Sequence, residues 1–313
     1  MNTLLTHLPQ NNDQIFLTDG GLETTLIFHE GIDLPYFAAF VLISTENGRE
    51  TLKRYYEPYA ALAVRSHTGF ILESPTWRAN SDWAEKLGYN PEQLAAANHD
   101  SISLLKEIKD EFEIPNSPFI ISGCIGPRGD GYKVTDMMSA TESEAYHRQQ
   151  ILTFAQSGVD LVGAITMTYP DEAIGIVHAA KESNLSVVIS FTTETDGRLP
   201  NGSSLQEAIE TVDAATDNGP AYYMINCAHP DHFRQALEDN ATWVQRIQGV
   251  RANASRMSHA ELDGVEALDS GNPEELGKLY QELRHHFPQF NVLGGCCGTD
   301  HRHIGHICQS CLH

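Results

Sequence analysis

Residues 161–191 read LVGAITMTYPDEAIGIVHAAKESNLSVVISF, and this stretch has the pattern strand, helix, strand. Apolar and β-branched residues at 161–165 and 187–191 predict two buried strands, because such runs are typical of strands covered on both faces. Residues 171–182 have helical periodicity and begin with acidic side chains, which favour a helix N-terminus. A helix that joins two such strands predicts a parallel pair with a right-handed crossover.

The same alternation continues in both directions along the chain. The other predicted strands are 15–18, 70–72, 119–122, 222–225, 247–250 and 292–293. The other predicted helices are 51–66, 91–111, 142–156, 204–216, 231–238, 273–287 and a last one from His301. Eight strands that alternate with eight helices predict an α/β fold, a single (β/α)8 TIM barrel, as one domain over residues 1–313. An open doubly wound sheet is the alternative, but its G-x-G-x-x-G signature does not follow the first strand.

Composition narrows the classes of partner. The chain has 313 residues, with 20 Lys and Arg against 42 Asp and Glu, and a formal net charge of −22. Because phosphate binding needs clustered cations, this balance argues against nucleic acid and against an anionic membrane surface. No apolar run reaches the roughly 18 residues of a membrane span, and the N-terminus does not resemble a secretory signal. We therefore expect a cytoplasmic protein that acts on small molecules, and its oligomeric state stays open.

Three cysteines follow two of the predicted strands. Cys227 comes after the sixth strand, and Cys296 and Cys297 come after the eighth, within GGCCG. A closed barrel brings these strand ends to one rim, where barrel enzymes have their active sites. Three thiolates suit Zn²⁺ and leave a fourth position open, and the glycines allow the backbone to bend. The alternative is that these cysteines are small buried hydrophobic residues.

Four motifs carry a resemblance to a known family. They are DGGLETTL at 19–26, GPRGD at 126–130, INCAHP at 225–230 and GGCCGT at 294–299. In this order and spacing they resemble the homocysteine S-methyltransferase family. The resemblance implies a (β/α)8 barrel, zinc ligands at Cys227, Cys296 and Cys297, and an amino-acid contact at Asp19.

The implied activity is a zinc-dependent S-methyltransfer. A methyl group would move from a small sulfonium or betaine-type donor to the zinc-bound thiolate of homocysteine, giving methionine. Zn²⁺ is the expected cofactor, a thiol and a methyl donor are the expected small-molecule partners, and no catalytic side chain beyond the metal centre is predicted. Residues at the strand ends are the expected substrate contacts: Asp19, Gly20, Gly21, Glu73, Trp77, Thr166, Asn226 and Asn253. Trp77 is either an aromatic wall for a cationic donor or a packing residue under a loop.

One position departs from the family pattern. Ile165 stands where the family has a Glu that holds the ammonium group of the amino acid. Glu73, Glu194 and Asp196 are the candidates to replace it. Otherwise the acceptor is a different thiol or selenol. A zinc-barrel hydrolase and a non-catalytic zinc-binding amino-acid sensor are alternatives from other classes. The CxxC of Cys308 and Cys311 predicts structural or incidental thiols far from the rim, with a redox or adventitious metal site as the alternative.

Overall fold

A computed structural model of the chain describes residues 8–11, 14–237, 241–263 and 267–312. Eight parallel strands close into a barrel in sequence order, because β8 pairs with β1. The strands are β1 (Phe16–Leu17), β2 (Gly69–Glu73), β3 (Phe119–Ile125), β4 (Leu161–Met167), β5 (Ser186–Thr192), β6 (Tyr222–Asn226), β7 (Ile247–Ala252) and β8 (Val292–Gly295). The predicted (β/α)8 barrel is confirmed, whereas the single domain over residues 1–313 stays a prediction.

Helices follow the strands around the barrel. They are α1 (Leu22–Thr24), α2 (Glu46–Ser66), α3 (Ser81–Lys86), α4 (Pro91–Phe112), α5 (Ala140–Ser157), α6 (Pro170–Glu182), α7 (Leu205–Thr216), α8 (Pro230–Phe233), α9 (His259–Leu262), α10 (Pro273–His286) and α11 (His301–Leu312). The short helices α1, α3 and α9 lie in loops where no helix was predicted. No helix of the described residues is long and apolar enough to cross a membrane.

The predicted helix over 231–238 is wrong in length. α8 is a single turn that continues as a 3₁₀ turn over Arg234–Ala236, and Glu238 lies outside the described residues. The chain then leaves helical geometry at Leu237, where ψ is 120°. Phe233 and Leu237 are both buried by this path. The apolar residues that suggested a longer helix are therefore buried without one, because short helical turns followed by an extended residue bring both side chains into the core.

The barrel interior is apolar near the amino ends of the strands and polar near their carboxyl ends. Its lower layer is Leu8, Phe16, Ile71, Ile120, Leu161, Val188, Tyr222, Met224 and Val292. Alternate residues of a strand point to the same side, so counting by twos toward the carboxyl ends leads to the interior positions above this layer. Glu73, Cys124, Ile165, Asn226 and Arg251 are reached in this way. The apolar layer therefore closes the floor beneath a polar site.

Candidate active site

The three predicted metal ligands meet at the carboxyl ends of β6 and β8. The Sγ atoms of Cys227, Cys296 and Cys297 all lie within 4.8 Å of one another. Cys227 and Cys296 form a disulfide, with Cα atoms 5.4 Å apart, and the Sγ of Cys297 lies 3.9 Å from that of Cys227. Within the described residues this is the one group of three metal-ligating side chains. After reduction, three sulfurs at this spacing are a donor set that suits zinc.

Close packing explains the glycines of the cysteine loop. A Cβ at Gly294 would lie 1.8 Å from Oγ1 of Thr18, so no larger residue fits between β8 and β1. Gly298 has φ of +78°, a left-handed conformation that glycine adopts without strain. The loop can therefore turn sharply after β8 and present Cys296 and Cys297 to the same centre.

Asn226 supports the strained Thr166 and directly precedes the strained Cys227 beside the sulfurs. Thr166 and Cys227 have φ of 62° and 53°, which is uncommon for non-glycine residues and unfavourable for a β-branched one. The side chain of Asn226 accepts a hydrogen bond from the Thr166 amide at 2.9 Å and donates to Thr166 Oγ1 at 3.0 Å. It also accepts a hydrogen bond from Ser190 Oγ at 2.7 Å. Asn226 thus supports Thr166 directly, and its Nδ2 also lies 4.0 Å from Sγ of Cys296, whereas the backbone oxygen of Cys227 accepts a hydrogen bond from Nδ2 of Asn253 at 3.0 Å.

Tyr132 and His259 cover the sulfurs from two loops, and sequence reasoning missed both. The hydroxyl of Tyr132 lies 3.5 Å from Sγ of Cys227 and 3.6 Å from Sγ of Cys297. Its ring contacts the imidazole of His259, with ring centroids 4.3 Å apart. Nε2 of His259 lies 2.6 Å from the backbone oxygen of Cys227. The aromatic residue within the Gly-rich loop after β3 was the available signal, because that loop follows a strand end.

Arg251 is the third site residue that sequence reasoning missed. It is buried, and its guanidinium joins Asp19, at 2.6 Å, to Glu73. The other oxygens of these carboxylates accept hydrogen bonds from Tyr55, at 2.9 Å, and Ser122, at 3.2 Å. Burial raises the pKa of Asp19 and of Glu73, and the attraction of Arg251 opposes this rise. Arg251 lies two residues after Gly249 in β7, so the alternation of the strand directs both residues to the barrel interior. This alternation could have identified Arg251 from the sequence.

A cavity of about 250 Å³ opens beside the cysteines. Seven of the eight predicted substrate contacts line it: Asp19, Gly20, Gly21, Glu73, Trp77, Thr166 and Asn253. Asn226 is not among the lining residues, and its side chain bonds to Thr166 and Ser190. One face of Trp77 is covered by the guanidinium of Arg78, 3.9 Å from the ring centroid.

Ile165 also lines the cavity, so a hydrocarbon occupies this part of its wall. Of the three candidate replacement acids, only Glu73 lines the cavity among the described residues. Glu194 lies 3.3 Å from His259, and Asp196 accepts a hydrogen bond from the amide of Arg198. Since Glu73 is paired with Arg251, none of the three is a free carboxylate at the position of Ile165.

The fold and the sulfur cluster define a (β/α)8 barrel with a candidate metal centre at the carboxyl ends of its strands. Its backbone is similar to that of the homocysteine methyltransferase MmuM from Escherichia coli. The oxidised and metallated forms of that protein match with TM-scores of 0.72 and 0.71. Both are compared over 98% of this chain and 99% of that one, at 19% and 18% identity. At this identity the similarity establishes the fold.

Sequence comparisons establish the family. The model of the homocysteine S-methyltransferase family matches residues 16–311. Homocysteine S-methyltransferase 1 from Brassica oleracea var. italica is 23% identical, over 90% of this chain and 89% of its own length. Selenocysteine Se-methyltransferase from the same plant is 22% identical, over 90% of this chain and 85% of its own. The chain belongs to the homocysteine S-methyltransferase family and is a methyltransferase.

Proposed function

We propose that the protein transfers a methyl group from a cationic sulfonium or betaine-type donor to the thiolate of homocysteine, giving methionine, with zinc held by Cys227, Cys296 and Cys297. The observation that carries this proposal is the convergence of three sulfurs within 4.8 Å of one another beside a cavity. Bound there, zinc would lower the pKa of a coordinating thiol, so that the nucleophile is a thiolate at neutral pH.

The cavity supplies the rest of the chemistry through its own residues. Its walls include apolar side chains, of which Leu22 is buried, Ile165 is partly buried, and Phe28 and Phe37 are half-exposed. With a ligand bound, these side chains would limit the access of water to the reacting atoms. Since an anionic sulfur and a cationic methyl donor lose charge as they react, a dry site favours the transfer. Tyr132 covers the sulfurs and is positioned to donate a hydrogen bond to them.

The charge of the cavity supports a cationic donor. Six carboxylates line it, those of Asp19, Glu23, Glu73, Asp130, Asp263 and Asp269. Two arginines, Arg78 and Arg251, are the only Lys or Arg side chains among the described lining residues. This excess of acids attracts a sulfonium or quaternary ammonium group. We retain Asp19, Gly20, Gly21, Glu73, Trp77, Thr166 and Asn253 as proposed substrate contacts, and Asn226 as a support of Thr166.

The test is a methyl-transfer assay on reduced, zinc-loaded protein. L-homocysteine is offered with S-methyl-L-methionine or glycine betaine, and methionine is measured by mass spectrometry. We expect methionine with at least one of these donors, and its loss when a chelator removes the metal. A zinc-loaded protein that makes no methionine with either donor would refute the proposal.

A selenol acceptor is the second candidate. Selenocysteine Se-methyltransferase is among the relatives with similar coverage, and Ile165 departs from the family at the amino-acid contact. Competition between L-homocysteine and L-selenocysteine in the same assay decides between the two acceptors. We also propose a single domain and a cytoplasmic location, which limited proteolysis and cell fractionation would test.

A further inference from the structure

One buried arginine of the cavity has no anionic partner. Arg78 is 6% exposed, and its Nε is buried without a hydrogen-bond partner. Its Nη1 donates to the carbonyl of Gly129 at 2.9 Å, and it forms no ion pair with the described residues. The guanidinium lies between two indole rings, 3.9 Å from the centroid of Trp77 and 4.1 Å from that of Trp83. Asp130 and Glu23 attract this guanidinium without forming an ion pair with it. Because a buried charge without a direct counterion is costly, the site fits an anionic group of a ligand.

One carboxylate of the same cavity has no cationic partner. Glu23 lies in α1, and it forms no ion pair with the described residues; its carboxylate accepts a hydrogen bond from its own backbone amide. Burial raises its pKa to about 7, helped by repulsion from Asp19, and the backbone hydrogen bond and the attraction of Arg251 and Arg78 only partly oppose this rise. A ligand cation at this position would stabilise the ionised carboxylate.

Glu23 is tied to the loop that carries two of the sulfurs, and Arg78 is tied to the loop that covers them. α1 is fastened to the cysteine loop, because the Gly21 amide donates to Thr299 and the Gly298 amide donates to Thr24 Oγ1, at 3.0 and 3.2 Å. Arg78 donates a hydrogen bond to the backbone carbonyl of Gly129, in the loop that follows β3. The same loop continues to Tyr132, whose hydroxyl touches two of the sulfurs. One free positive and one free negative charge therefore lie in the same cavity as the cysteines.

The other pair of acids near the strand ends is already neutralised. Asp19 and Glu73 share Arg251, and each has a further hydrogen-bond donor on its second oxygen. An incoming ammonium group would have to compete with a buried guanidinium at either carboxylate. Glu23 carries no such competitor among the described residues.

We propose that Arg78 binds the α-carboxylate, and Glu23 the α-ammonium group, of the amino acid whose sulfur reaches the three cysteines. This assignment rests on the proposed function and deepens it by naming the groups that select an amino-acid acceptor. It also accounts for Ile165, since the carboxylate that receives the ammonium group is then supplied from α1 rather than from the end of β4.

The test removes one charge from the protein and the matching group from the ligand. Zinc-loaded, reduced protein is titrated calorimetrically with L-homocysteine, with 4-mercaptobutanoate, which lacks the ammonium group, and with 3-mercaptopropan-1-amine, which lacks the carboxylate. The variants are Glu23→Gln and Arg78→Met, the latter keeping an apolar stem between the indoles. Each is expected to raise the Kd of L-homocysteine roughly tenfold to a hundredfold, the range for a hydrogen bond to a charged group.

The pattern across ligands is the decisive readout. Glu23→Gln should leave the Kd of 4-mercaptobutanoate unchanged, and Arg78→Met should leave that of 3-mercaptopropan-1-amine unchanged. Lys86→Gln is the matched control, because exposed Lys86 lies 3.9 Å from the centroid of the same Trp83 ring yet does not line the cavity. Equal weakening of all three thiols would overturn the proposal, as would unchanged binding of L-homocysteine in both variants.

S-methyl-L-methionine carries the same two groups, so it is titrated in parallel. Weakened binding of this donor with unchanged binding of L-homocysteine would overturn the assignment to the acceptor. The proposed function fails separately, when wild-type protein makes no methionine. Selective loss of binding in the two variants would still support the assigned contacts in that case.

Discussion

Two groups of cysteines differ in what surrounds them. Cys227, Cys296 and Cys297 come from distant parts of the chain, yet Asn226, Tyr132 and close-packed glycines direct their sulfurs to one point. Cys308 and Cys311 have the CxxC spacing of many metal and redox sites. Cys308 is buried in α11, and its sulfur donates to Ser66 Oγ at 3.0 Å, near the start of β2. Spacing in the sequence is therefore a weaker guide to a sulfur centre than the structure that supports it.

Substitution of one rim cysteine should give the largest effect. Cys297→Ser removes one of three ligands, so we expect the loss of stoichiometric zinc and of methyl transfer. Zinc content after dialysis, measured by mass spectrometry, checks this. The double variant Cys308→Ser/Cys311→Ser is the control and should retain zinc and activity. Zinc retained by Cys297→Ser, or lost from Cys308→Ser/Cys311→Ser, would contradict the assignment of the metal to the first group of cysteines.

Reduction of the protein should distinguish the two groups of cysteines without any mutation. With the Cys227–Cys296 disulfide intact, four thiols are free, and reduction should raise the count to the six cysteines of the chain. Each disulfide takes up two electrons and two protons to give two thiols. We expect zinc uptake only after this step, because two ligands are otherwise joined to each other. Thiol titration in denaturant, paired with zinc titration, measures both quantities, and stoichiometric zinc binding by the oxidised protein would contradict this expectation.

Asn226→Ala should weaken the structural support of the three cysteines Cys227, Cys296 and Cys297. The change leaves the Thr166 amide and Ser190 without a buried acceptor, so we expect the free energy of unfolding to fall by about 1–3 kcal/mol. Zinc affinity should also fall, by roughly tenfold to a hundredfold, as for other residues that orient metal ligands. Urea unfolding and chelator competition measure these effects. Exposed Asn201→Ala is the control, and equal effects in both variants would show that Asn226 has no special role.

Tyr132→Phe should give the smallest effect. The ring keeps its contact with His259, and only the hydroxyl near Cys227 and Cys297 is lost. We expect zinc affinity to fall roughly threefold to tenfold, which corresponds to one modest hydrogen bond. Chelator competition on reduced protein checks this, with the half-exposed Tyr36→Phe as the control. An unchanged affinity would mean that Tyr132 covers the centre without bonding to it.

The sequence predicted the barrel and most of the cavity. Strand and helix periods are local properties, and the cysteine motifs mark the strand ends directly. Arg251, Tyr132 and His259 were missed because their importance depends on partners far away in the chain. Arg251 meets Asp19 and Glu73 across the barrel, and Tyr132 meets His259 between two loops. The helix over 231–238 was wrong because apolar spacing alone does not distinguish one turn from two.

By itself, the sequence determined the alternation of strands and helices and the three cysteines at two strand ends. Only the tertiary structure decided which charges are paired, because pairing depends on distances between residues that are remote in sequence. Asp19 and Glu73 share the buried Arg251, whereas Glu23 and Arg78, which line the same cavity, form no ion pair in the part of the chain that the structure describes. Ion pairs act over a few ångströms, so the closing of the barrel is what separates structural charges from those available to a ligand.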